Sequence, residues 1–244
     1  MTEIPGWPER LGLVLHGMLD STNEEARRLA DAGEGGPLWI AAREQTAGRG
    51  RRGRIWVSQR GNLFATLLTR AAPSLAAQLA FAAGLAAGET VAAYAPDTEI
   101  TLKWPNDVLL NGKKTAGILL ENLGGDALAI GIGINLEHYP RDTEFPATSI
   151  AAATGSTPDF DAALLRLARA MHAWYEVWRD NGFAPIRSAW LARAAGQGCP
   201  VIARLEGSEM EGIFETIDED GALLLRQPSG AMTRIASGVV FFRA

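Results

Sequence analysis

Hydrophobic positions along the chain follow two rhythms, and the change between them falls near Gly196. Before that point helical and extended periods alternate; after it only short extended runs remain. In DSTNEEARRLADAG (residues 20–33) Ser21 or Thr22 stands at a helix start, Glu24 or Glu25 follows three residues on, and Gly33 marks the stop. PLWIAA predicts a strand, residues 75–94 an alanine-rich helix, and DAALLRLARAMHAWYEVWRDNG an amphipathic helix with Leu164, Leu167, Met171, Trp174 and Trp178 on one side. Those aromatics read as core. Between the helices come TEITLKW, DVLL, an Asn111-Gly112 turn, KKTAGILLE, a Gly124-Gly125 turn and ALAIGIGINL. Asn-Gly between apolar runs is a two-residue hairpin signal, so this stretch predicts an antiparallel meander. From Cys199 onward PVIARL, EMEGIFETI, ALLLRQ and MTRI, separated by EGS, DEDG and PSG turns, predict a small β-barrel of roughly fifty residues. The division expected is therefore 1–195 for a main domain and 196–244 for the β-unit.

Composition narrows the class. With 244 residues, 47% hydrophobic and 21% charged, the chain can bury a sizeable core and is not disordered. A net charge of −5 gives no broad cationic field, which argues against coating DNA or an anionic membrane. Cys199 is the only cysteine, and His16, His138 and His172 show no ligand spacing, so neither a disulfide nor a protein-held metal is expected. The first residues lack a basic stretch leading into an apolar core, so no signal peptide is expected, and the apolar stretch 71–95 is broken by Ser74, Gln78 and Glu89; both fit a cytoplasmic protein with a buried helix.

One segment departs from this acidic background. From Gly48 to Arg54 four arginines and three glycines fill seven positions. Gly48, Gly50 and Gly53 satisfy G-x-G-x-x-G, but no strand directly precedes them, RIWVS opens a helix poorly, and no acid occurs between Arg54 and Glu89. A dinucleotide site is excluded on those grounds. A phosphate-binding P-loop also fails, since Gly112-Lys113 lacks the upstream glycine. What remains is an anion-binding loop, in which glycines allow close backbone approach and guanidinium forks grip phosphate or carboxylate. A solvated turn would need none of these mutually repelling charges.

The meander carries a second set of polar groups. Strict alternation in KKTAGILLE puts Lys114 on the face of Ala116, Ile118 and Leu120, and Lys113 with Thr115, Gly117 and Glu121. In AIGIGIN, Gly131 and Gly133 leave one face bare while Ile130, Ile132 and Ile134 pack the other, the arrangement a flat ligand on a sheet requires. KWPND adds Lys103 at a strand end, Trp104, a ladder-stopping Pro105, and Asn106 and Asp107 in the bend.

DSTNEEA, EQTAGRGRRGRIWVS, KWPNDVLLNGKKTAGILLE and IGIGINL, in that order, resemble the biotin protein ligases, enzymes that attach biotin to a carrier-domain lysine. The resemblance implies an α+β fold: a mixed sheet flanked by helices, related to class II synthetase cores, with a small C-terminal SH3-like barrel. It implies Ser21, Thr22, Asn23 and Gln45 around the biotin ureido. Arg49, Gly50 and Arg51 would close over biotin and the acyl phosphate, Lys114 would meet the biotin carboxylate or adenylate, and Gly117, Gly131 and Gly133 would line the biotin site. Arg51, Trp56, Lys103, Asn106 and Asn135 would take the ATP side. ATP and biotin are then substrates, with Mg²⁺ carried by ATP, and the partner is a biotin carboxyl carrier protein or domain.

The implied chemistry brings two anions together. A carboxylate with a pKa near ~4 needs no general base to attack the α-phosphate; Arg51, Lys114 and Mg²⁺ would offset the repulsion. Asp107 would assist deprotonation of the carrier lysine. Some family members carry an N-terminal DNA-binding domain; only about twenty residues precede Ser21, too few for one, so no DNA-binding role is expected. A homodimer paired through a sheet edge fits the family. The alternatives are a lipoate or other acyl-adenylate ligase on this fold, where a histidine motif would replace the arginine loop, and a catalytically idle biotin-binding protein.

Overall fold

Strand and helix periods alternate along the chain, and the computed structural model, which describes residues 4–242, shows where each period settles. The elements run β1 (Gly12–His16), α1 (Thr22–Asp31), β2 (Leu38–Ala42), β3 (Leu63–Arg70), α2 (Ala76–Tyr94), β4 (Ile100–Lys103), β5 (Asp107–Leu110), β6 (Lys113–Gly124) and β7 (Ala127–Ile134). There follow α3 (Ile150–Thr154), α4 (Phe160–Asn181), α5 (Phe183–Leu191), β8 (Pro200–Arg204), β9 (Glu209–Ile217), β10 (Leu223–Arg226), β11 (Met232–Ile235) and β12 (Val239–Phe242). Strands β1 to β7 form one sheet in the order β1-β2-β3-β7-β6-β5-β4, parallel only between β1 and β2. The mixed sheet and the β4-to-β7 meander are as expected; β1, β3 and β12 carry no clear alternation in the sequence.

Alternation in β6 and β7 decides which face is which. Ile118, Ile130, Ile132 and Ile134 are buried in the main core together with the apolar residues of α2. Helix α2 has the length and composition of a membrane span, but 72% of that window is buried inside the protein. Its small residues permit close contact: a Cβ on Gly88 would lie 3.4 Å from Leu102. On the opposite face α1 packs over β2, β3 and neighbouring β7, through Ala26, Ile40, Leu68 and Ala129, and reaches β6 through Asn23. The rest of that face is not covered by α1.

Strands β8 to β12 form a second, antiparallel sheet in the order β11-β10-β9-β8-β12. The two sheets share one apolar core. Trp190 of α5 lies 5.2 Å from Phe81 of α2 and 6.5 Å from Phe214 of β9, ring centre to ring centre. Buried Trp104 donates to the Gly221 carbonyl at 3.0 Å, and Arg187 donates to that of Ile217 at 2.7 Å. These contacts set β12 and the loop before it against the open face of the first sheet.

One expectation about orientation fails. Between β5 and β6 the register steps from Val108 opposite Ala116 to Leu109 opposite Lys114, so Thr115 is an extra residue in a β-bulge. The bulge turns Lys114 away from the Ala116, Ile118 and Leu120 face and onto that of Asp107 and Gly117. Strict alternation cannot anticipate this, because the extra residue is defined by the partner strand.

Candidate active site

The N-terminus of α1 forms one end of a cavity of about 340 Å³ on the open face. Ser21 is the N-cap in extended conformation, yet its side chain makes no capping hydrogen bond. Gln45 caps the helix instead. Its Oε1 accepts from the Thr22 amide at 2.8 Å and the Thr22 hydroxyl at 3.1 Å, while its Nε2 donates to Ser58 Oγ at 2.9 Å. Thr66 Oγ1, on β3, lies 2.8 Å from Thr22 Oγ1 and donates to Asn23 Oδ1 at 2.7 Å. Asn23 Nδ2 donates to Glu121 Oε2 at 2.6 Å. Ser21 thus keeps a hydroxyl for the cavity inside a network in which the other groups are matched.

The other end is cationic. Asp107 is buried between two lysines: Lys114 Nζ is 2.5 Å from its Oδ1 and Lys103 Nζ is 3.4 Å from its Oδ2. Burial opposes ionisation of Asp107, but Lys114 and Lys103 outweigh it and hold the carboxyl below its usual range. Lys103, only 1% exposed, sits 4.5 Å from the Phe145 ring centre and is lowered by burial despite Asp107. Arg51 reaches Asn106 Oδ1 and the Gly238 carbonyl, both at 3.3 Å, and Ser237 Oγ at 3.4 Å. Its pKa is lowered by burial and then by the like charge of Arg52. A desolvated guanidinium with only long contacts is primed for an anion.

Between the two ends the sheet is paved by glycine. Register aligns Phe64 of β3, Gly133 of β7, Gly117 of β6 and Asp107 of β5 across one face, with Thr66, Gly131 and Leu119 in the next row. The flat group resting on this floor belongs to the protein: a Cβ on Gly133 would lie 2.6 Å from Trp56 Nε1, and one on Gly117 3.0 Å from Trp56 Cζ3. A Cβ on Gly131 would lie 2.3 Å from Asn23 Oδ1. The glycines therefore make room for Trp56 and Asn23 directly, and Lys114 Nζ stands 5.4 Å from the indole centre.

Two family models match the chain: "Biotin/lipoate A/B protein ligase family" over residues 18–137 and "Biotin protein ligase C terminal domain" over residues 198–243. A biotin--[acetyl-CoA-carboxylase] ligase of Paracoccus denitrificans is 48% identical over 235 residues, covering 91% of this chain and 97% of that protein. The chain belongs to the biotin protein ligase family. A bifunctional ligase/repressor of Bacillus subtilis is 35% identical over 89% of this chain and 70% of its own length. Among solved structures, a biotin protein ligase from Aquifex aeolicus in complex with biotin and ATP is similar with a TM-score of 0.82 and 28% identity, covering 95% of this chain and 98% of that one.

The residues that the biotin protein ligase resemblance assigns all line this one cavity: Ser21, Thr22, Asn23, Gln45, Arg49, Gly50, Arg51, Trp56, Lys103, Asn106, Asp107, Lys114, Gly117, Gly131, Gly133 and Asn135. Several are already committed to protein partners. Arg49 is ion-paired with Glu24 and lies 3.6 Å from Glu121. Asn135 donates to the Thr148 carbonyl at 3.0 Å, and Asn106 to that of Ile118 at 2.7 Å, so both brace backbone beside the cavity. Asp107, expected to assist deprotonation, has both oxygens on lysines. Sequence reasoning misses Ser58, Thr66, Glu24 and Glu121, and also Phe145, Val239 and Phe241 on the cationic side. Glu121 closes KKTAGILLE and is identifiable there as an acid on the glycine face; Phe145 and Phe241 carry no local signal.

Proposed function

We propose that this chain activates biotin with ATP and transfers it to a lysine of a biotin carboxyl carrier domain. The observation that carries this is the cavity's polarity: matched hydroxyls and amides at one end, and at the other three cations, Arg51, Lys103 and Lys114, around the single buried carboxylate of Asp107. The α1 end suits a neutral, hydrogen-bonding head group such as the biotin ureido, met first by the free hydroxyl of Ser21, with Thr22 and Gln45 fixing the helix end around it. The cationic end suits the biotin carboxylate and the nucleotide phosphates. The exposed side of Trp56 offers a platform for adenine, with Asn106 and Asn135 holding the backbone around it.

In the first half-reaction a carboxylate oxygen of biotin attacks the α-phosphorus and pyrophosphate leaves. Both reactants are anions, so Lys114 and Arg51 lower the cost of their approach and stabilise charge in the transition state. Mg²⁺ carried with the nucleotide would neutralise its phosphates. Asp107 serves as the counter-ion that holds Lys103 and Lys114 in place. A carboxyl held below its ordinary range is a weak base, so the carrier lysine loses its proton elsewhere. In the second half-reaction the neutral lysine attacks the acyl carbon and AMP leaves. Closure of the arginine loop shields the mixed anhydride from water.

Exposed Cys199 as the only cysteine supports a reducing, cytoplasmic setting. We assign the carrier domain, and not DNA or a membrane, as the macromolecular partner, and β1 is the sheet edge left for a homodimer contact, since the outer side of β4 is hydrogen-bonded at Leu102 to residues 193–195. The test is pyrophosphate exchange into ATP. Exchange that depends on biotin and not on lipoate, followed by transfer of one biotin to a purified carrier domain, is expected. Exchange with lipoate alone, or none with biotin, overturns the assignment.

A further inference from the structure

Two carboxylates at the hydroxyl end have no part in the reaction above. Glu24 lies in the first turn of α1 and Glu121 on β6, and Arg49, from the arginine loop, pairs with both. Glu121 divides its oxygens: Oε1 faces Arg49 at 3.6 Å and Oε2 accepts from Asn23 Nδ2 at 2.6 Å. Loop, helix and strand, far apart in sequence, thus meet in one cluster.

Each contact removes a freedom that the sequence leaves open. Asn23 has one accepting and one donating end; with Thr66 on its Oδ1 and Glu121 on its Nδ2, its amide cannot turn over. Arg49 stands between Gly48 and Gly50, so its backbone is permissive. The loop's own hydrogen bonds, Gly50 to the Arg54 carbonyl at 2.7 Å and Trp56 to the Gly48 carbonyl at 3.0 Å, keep its hairpin shape without tying Arg49 to α1 or β6. On one side of the loop Arg51 only reaches toward Ser237 and Gly238, through long contacts. The Glu24 and Glu121 pairs fasten the other.

We propose that Glu121 and Glu24 are positioning residues for the ligation: Glu24 by a direct hydrogen bond and Glu121 across 3.6 Å clamp Arg49 so that the arginine loop closes the hydroxyl end of the cavity, and Glu121 also sets the Asn23 amide beneath the head group. The effect on catalysis rests on the reading given under Proposed function; the clamp itself does not. Partly exposed ion pairs add little to global stability, so the signature is loop opening and not a lower melting temperature.

The experiment uses Glu24→Gln, Glu121→Gln and the double variant in the full-length protein, with two readouts. The first needs no substrate: the arginines of the loop are trypsin sites, and nicking there is expected to be at least about tenfold faster in the double variant, the opening that follows from losing both carboxylate contacts of Arg49. The second is retention of biotinyl-AMP and the KM for biotin in exchange. Release is expected to quicken in all three variants, whereas the KM for biotin rises, about threefold to tenfold, only where Glu121 is replaced, because only Glu121 holds Asn23. Unchanged nicking in the double variant, or a KM for biotin that Glu24→Gln raises as much as Glu121→Gln, overturns the inference. If the wild-type protein shows no biotin-dependent exchange, the functional reading falls and the trypsin readout still decides whether the clamp exists.

Discussion

Two neighbouring glycines on β7 face different side chains, and adding one methyl group to each is expected to separate the two halves of the cavity. A Cβ on Gly133 would lie 2.6 Å from Trp56 Nε1 and Cε2 and 2.8 Å from Cζ2. Ordinary contacts fall at about 3.5–4.0 Å, so the indole must lift by ~1 Å. Trp56 sits on the arginine loop and can do so at a modest cost, of order 1–3 kcal/mol at most. In Gly133→Ala the fold survives, the adenine platform is misplaced, and the KM for ATP rises about tenfold while that for biotin moves less than about threefold. A Cβ on Gly131 would instead lie 2.3 Å from Asn23 Oδ1 and 3.0 Å from Cγ. Asn23 is only 4% exposed and tied to Thr66 at 2.7 Å and Glu121 at 2.6 Å, so it yields only by breaking those bonds. At about 1 kcal/mol or more for each, Gly131→Ala raises the KM for biotin about tenfold to a hundredfold and spares ATP. Pyrophosphate exchange with each substrate varied in turn reads both constants, and thermal denaturation monitors folding. Adding Trp56→Ala to Gly133→Ala gives less than the sum of the two effects if the indole is what the methyl displaces. If both alanines raise the same KM, or if Gly133→Ala leaves both untouched, the division of the cavity between Trp56 and Asn23 is wrong.

Lys114→Met keeps the stem and removes the charge; first-order adenylate formation falls about a hundredfold or more in a single-turnover assay, with a smaller change in biotin affinity. Arg51→Gly still forms biotinyl-AMP but loses it early, so a chase with unlabelled biotin releases the labelled adenylate faster than in the wild type. For Asp107 the folded pKa lies below the unfolded value of 3.8, so between the two the unfolded chain binds more protons and stability rises with pH. Its contribution is complete above the unfolded pKa and is lost as pH falls through the folded one. Asp107→Asn flattens that acid limb in urea titrations repeated across the acid range. At neutral pH it leaves Lys103 buried without its partner, at a cost of about 3–5 kcal/mol.

Local periodicity makes much of this site legible. The Asn111-Gly112 turn and the Ile/Gly alternation of β7 reveal the meander and its bare face, because both signals lie within a few residues of the structure they produce. Strand β3 escapes for the opposite reason. Seven of its eight residues are buried, so no polar face shows between apolar ones, and Thr66, which joins Thr22 to Asn23, goes unseen with it. Lys114 stands out as a charge among apolar residues, but alternation assigns it to the wrong face, since a bulge is a property of two strands and the pattern is read from one.

The arginine loop shows most clearly what pairing adds. Along the sequence its four charges read as one anion-binding loop, with Arg49 and Arg51 assigned to the ligand. In space Arg49 is taken up by Glu24 and Glu121, and Arg54 lies 3.8 Å from Glu144. Arg51 alone combines burial with long, weak contacts, so the attraction for a phosphate concentrates there, while its neighbours set where the loop stands. Glycines that permit the loop to fold over a ligand equally permit it to fold elsewhere. A loop of this composition therefore needs charges committed to its own protein as well as charges kept for the substrate, and the two kinds look identical in the sequence.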